Sequence, residues 1–107
     1  MLQFVGKRYI LRYSSGMEIA AHYRSERELT WEALAGPAKG SSGSEQFDAC
    51  ELKPGVFFVN WIEQGGTTVR QVLDLGSATV HSYVTLETQA GRRGQLSEGT
   101  LEEVPQR

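Results

Sequence analysis

The chain has 107 residues, with 11 Lys+Arg against 13 Asp+Glu and a formal net charge of −2. That length suits one domain spanning 1–107, and the slightly acidic balance excludes the broad electrostatic footprint of a general nucleic-acid or anionic-membrane binder. Apolar residues at 39% are enough for a core, while 12 glycines exceed the usual ~7% share and point to many turns.

Turn chemistry recurs at Ser14-Ser15-Gly16, Ser25-Glu26-Arg27, Gly36 to Gly43, Lys53-Pro54-Gly55, Gln64-Gly65-Gly66, Gly76-Ser77 and Gly91 to Gly94. The intervals have strand length. Tyr9 to Tyr13 alternates, with Tyr9, Leu11 and Tyr13 on one face. Met17 to Tyr23 follows, with Met17, Ile19, Ala21 and Tyr23 together, and Leu29 to Ala33 repeats the pattern. In the interval between Gly43 and Lys53, Cys50 shares a parity with Asp48 and Leu52 and reads as a small buried hydrophobe. Val56 to Ile62 is apolar on both faces, which predicts cover from the core on one side and from another layer or subunit on the other. Thr67 to Leu75 and Ala78 to Leu86 are β-branched strands, and Gln95 to Val104 is a weaker one, interrupted by Gly99. Ser25-x-x-Glu28 and Thr100-x-x-Glu103 have capping-box spacing but precede no amphipathic run. The expected fold is all-β, an antiparallel up-and-down barrel of about eight strands, since closure removes exposed edges.

The single cysteine excludes an intramolecular disulfide, and with His22 and His81 it makes no zinc-site spacing, so no metal is expected. No apolar run approaches the roughly 18 residues of a membrane span, and Met1 to Arg8 lacks the pattern of a signal peptide, so a reducing cytoplasmic setting is expected. The Gly36 to Gly43 stretch lacks the lysine spacing and following helix of a phosphate loop and reads as a flexible connection. Arg92-Arg93 reads as a solubilising hairpin tip, and His22 and His81 as structural, without a partnered nucleophile or carboxylate at recognisable spacing. The informative residue is Glu63. If Phe57, Val59 and Trp61 face inward, so does Glu63, where lost solvation raises its proton affinity and fits it for acid–base work or for holding a polar ligand group.

The segments Phe4-Val5-Gly6-Lys7-Arg8-Tyr9, Tyr13-Ser14-Ser15-Gly16-Met17-Glu18 and Pro54-Gly55-Val56-Phe57-Phe58-Val59-Asn60-Trp61-Ile62-Glu63 resemble, in order and spacing, bacterial phenolic acid decarboxylases and their MoaF-like relatives. The resemblance runs from about Phe4 to Tyr83. It implies a calycin, lipocalin-like barrel, dimeric and cofactor-free, with a ligand cavity inside. Carried over residue by residue, the decarboxylase set is incomplete. Leu11 and Tyr13 stand where two tyrosines hold the substrate carboxylate, Ile19 where a further pocket tyrosine stands, Ser41 where an arginine stands, and Glu63 where a glutamate stands. Each lost group costs on the order of 10²-fold in rate, so efficient decarboxylation is not expected. The end of the chain near residue 107 agrees with the compact MoaF-like branch.

The sequence therefore predicts a small-molecule-binding barrel lined by Tyr13, Ile19, Trp31, Phe57, Trp61, Glu63, Gln71 and Leu73, taking a small aromatic or heterocyclic ligand. One alternative is a cofactor-free lyase or isomerase acting on a small aromatic acid through Glu63 and Tyr13. Another is a non-catalytic homodimer with a filled barrel, using Phe58 and Ile62 as contacts.

Overall fold

The computed structural model describes residues 2–105. Alternation sets the strands as expected, and turns separate them: β1 Arg8–Tyr13, β2 Glu18–Tyr23, β3 Glu28–Ala35, β4 Ser42–Gln46, β5 Asp48–Lys53, β6 Val56–Ile62, β7 Thr68–Asp74, β8 Thr79–Thr88 and β9 Gly91–Val104. All nine belong to one antiparallel sheet ordered β4-β3-β2-β1-β9-β8-β7-β6-β5, curled into a barrel of calycin type. No helix occurs among the described residues.

Nine strands rather than eight result from a corner at Phe47. The interval between Gly43 and Lys53 is not one strand: its first half pairs with β3 and its second with β6. One bent segment thus serves both edges of the sheet. Phe47 drives its ring into the core and anchors the corner by donating its N–H to the Arg27 carbonyl at 2.9 Å. Beyond the corner β4 approaches the end of β6 without pairing with it.

Inward residues on successive strands are Tyr9, Leu11 and Tyr13 of β1, Ala21 and Tyr23 of β2, Phe57, Val59 and Trp61 of β6, and Val69, Gln71 and Leu73 of β7. One end of the barrel is closed by aromatics. Phe4, on the turn preceding β1, packs edge-on to Tyr23 at 4.8 Å and to Phe57 at 5.1 Å between ring centroids, and Phe47 and Tyr9 complete the cluster. Edge-to-face pairs add to burial, which itself contributes about 1.5–3 kcal/mol per large apolar side chain.

Several expectations need correction. The β8–β9 hairpin turns at Gln89-Ala90, so Arg92 and Arg93 lie within β9, opposite Glu87 and Leu86, rather than at a tip. Arg92 there bonds the Gly66 carbonyl and lies 3.3 Å from Glu87. β9 also runs unbroken through Gly94 and Gly99. A Cβ on Gly99 would lie 2.1 Å from the Arg12 carbonyl oxygen, so this glycine admits the close approach of β1. Cys50 is exposed, because β5 is an edge strand and its Asp48–Cys50–Leu52 parity points outward.

Candidate functional site

Opposite the aromatic plug, the barrel interior opens into a cavity of about 240 Å³ at the end formed by the β1–β2, β3–β4 and β6–β7 connections. Met17, Ile19, Ala21, Leu29, Val69 and Val84 supply apolar wall, and Trp31 and Trp61 supply aromatic wall. Each reaches the cavity through the two-residue period of its strand.

Polar groups enter from β1, β2, β7 and β8. The Tyr13 hydroxyl lies 2.7 Å from Ser82 Oγ, and the Tyr23 hydroxyl donates to Gln71 Oε1 at 3.0 Å. Burial raises the proton affinity of both phenols, far above the ordinary tyrosine value for Tyr23; hydrogen bonding from Ser82 and Gln71 partly opposes the rise at Tyr13. Both therefore remain neutral at ordinary pH. Among the described residues no buried side-chain nitrogen or oxygen lacks a partner, so this polar set is internally satisfied.

At the rim, Glu63 follows Trp61 by two residues on the inward side, and Trp61 Nε1 donates to Glu63 Oε2 at 3.1 Å. Burial raises the Glu63 carboxyl above the usual carboxylate value; the indole bond opposes this, and the charge of Glu45 adds to it. Glu45 is held the same way, accepting from Trp31 Nε1 at 3.0 Å. The Trp31 ring lies across Gly43, where a Cβ would fall 2.7 Å from Nε1. Two indole–carboxylate pairs thus sit where β4 and β6 approach without pairing. Glu63 is a group able to hold a proton or a ligand's polar atom at the cavity entrance.

Of the residues singled out in the sequence, Tyr13, Ile19, Trp31, Trp61, Glu63 and Gln71 line this cavity. Phe57 and Leu73 do not. They are fully buried in the core, with Phe57 in the aromatic cluster at the closed end, because strand parity specifies the inner face and not the depth along the barrel. Leu11 is likewise core, and Ser41 is exposed on the β3–β4 connection. Sequence reasoning missed Tyr23 and Ser82 as polar wall residues; period-two counting on β2 and β8 marks both as inward. His81 is exposed, 3.6 Å from Glu98. His22 lies partly buried on the outer parity of β2, where burial and then Arg8 and Arg24 lower its proton affinity. Grooves of about 480 and 440 Å³ elsewhere include His22 and Arg70 respectively, outward residues, and are not the barrel interior.

The family model for MoaF-like proteins matches residues 5–101, and the chain belongs to that family. A solved protein from Burkholderia vietnamiensis, described as a "putative beta-lactamase", is similar to it with a TM-score of 0.87 at 21% identity, covering 96% of this chain and 97% of that one. At that identity the likeness carries the fold and not the activity. No curated protein matches the sequence. Among the described residues no helix is long and apolar enough to cross a membrane.

Proposed function

We propose that this MoaF-like barrel binds a small aromatic or heterocyclic molecule in its interior cavity and is not an efficient phenolic acid decarboxylase. The observation that carries the reading is the cavity itself, about 240 Å³ with walls of Trp31, Trp61 and aliphatic side chains and with Tyr13, Gln71 and Glu63 as orienting polar groups. A dry apolar cavity of about 150 Å³ holds benzene, so this space takes one ring with a short substituent. Its hollowness favours ligand binding over a filled, purely structural barrel. Against decarboxylation stand Leu11, packed in the core in place of a carboxylate-holding tyrosine, and Ser41, exposed in place of the arginine. The free, exposed Cys50 supports a reducing, cytoplasmic setting. A homodimer is part of the same proposal, supported by the outward apolar residues of β6 and β9.

The reading is tested by thermal denaturation against a panel of single-ring compounds. A ligand bound to the native state raises the melting temperature according to its concentration over its dissociation constant. Saturable shifts are expected with wild type, and Trp61→Ala, which removes one cavity wall, or Glu63→Ala should abolish them. Shifts that persist unchanged in both variants would place binding elsewhere.

A further inference from the structure

The charge of the cavity lining narrows the ligand class, an inference that rests on the interior being the ligand site. Among the described lining residues Glu63 is the one formally charged side chain; lysine, arginine and histidine are absent from the lining. Beside it stands Glu45, tied through Trp31 to the same wall. An incoming carboxylate would lose its hydration, meet like charge at the rim and find no cationic side chain inside. A protonated amine meets the opposite situation. Each carboxylate accepts one indole bond, from Trp61 or Trp31, and a carboxylate has about four acceptor positions, so lone pairs remain for an ammonium group with its three donors. The neighbouring indoles also favour a cation electrostatically when one lies over the ring face. The remaining wall is apolar and sized for one ring and a short arm.

We propose that the cavity selects an arylalkyl ammonium compound, a primary amine carried on a short apolar arm from a single aromatic ring, with the ammonium against Glu63 and Glu45 and the ring between Trp61, Trp31 and the aliphatic wall. Aromatic carboxylates of the same size are excluded.

Calorimetric titration with three near-isosteric probes, 2-phenylethylamine, 2-phenylethanol and 3-phenylpropionate, separates this inference from the reading beneath it. At neutral pH and low salt, the amine should bind one-to-one and about tenfold or more tighter than the alcohol, with the carboxylate weakest. Glu63→Gln should erase most of the amine's advantage over the alcohol, and Glu45→Gln should produce a smaller loss in the same direction. Circular dichroism establishes that each variant folds. Independently of any variant, added salt should weaken the amine and spare the alcohol. If the alcohol or the carboxylate binds as tightly as the amine, the amine assignment fails and the cavity reading stands. If the amine retains full affinity in both folded variants, the assignment also fails. If none of the three probes binds, both fail.

Discussion

Glu63 shows how one residue's setting determines what it can do. Its carboxyl is held above the ordinary carboxylate value first by burial, with the Trp61 N–H opposing and Glu45 reinforcing. A raised value in the folded state means that protonation favours folding. That contribution is complete below the unfolded carboxylate value, near 4.3, and is lost as pH rises through the folded value. Glu63→Gln, which preserves an acceptor for Trp61, should therefore melt at a higher temperature than wild type at about pH 7, and the difference should vanish near pH 4. A wild type more stable than the variant at neutral pH would show that the carboxylate is favourably paired. Glu63 was legible in the sequence because inward parity beside a tryptophan is a local pattern. The Tyr13–Ser82 pair was not, since its members are 69 residues apart and meet through strands that are not neighbours in the sheet.

At the scale of elements, β1 and β2 were readable because their apolar residues alternate, β6 because it is a short apolar run bounded by turns, and β7 because it is rich in β-branched residues. β9 read as short and weak because Gly94 reads as the end of a turn and Gly99 registers in a sequence only as a missing side chain. What occupies the vacated space is non-local, and the two glycines differ in it. A Cβ at Gly99 would meet the Arg12 backbone oxygen at 2.1 Å, whereas one at Gly94 would meet the end of the Tyr83 side chain at 2.0 Å. Backbone cannot move aside without parting β1 from β9, but the Tyr83 side chain, 43% exposed, can swing. Chemical denaturation should thus show Gly99→Ala destabilised by about 1–3 kcal/mol or more, and Gly94→Ala by under about 1 kcal/mol. Equal losses would contradict this view of β9. The Phe47 corner was hidden for a related reason: Ser42 to Gln46 has little apolar alternation, and its change of partner from β3 to β6 is a property of closure, not of local composition.

For the whole molecule, the barrel is plugged at one end by Phe4, Tyr23, Phe47 and Phe57 and open at the other, so its interior is a core for part of its length and a cavity for the rest. The two-sided apolarity of β6 that suggested a second covering layer is only partly met within one chain. Phe58 is half-buried, while Ile62 is 74% and Leu96 on β9 is 72% exposed. Sedimentation at micromolar concentration should show a dimer that Ile62→Glu or Leu96→Glu weakens; a wild-type monomer throughout would remove the dimer from the account. The central claim, a ligand inside the barrel, is tested most directly by methyl-resolved NMR during titration with a small aromatic amine. Saturable shifts are predicted at the cavity methyls of Ile19, Ala21, Val69 and Val84, with the outward Val72 unmoved. Shifts confined to Val72 and its outer-face neighbours would contradict it.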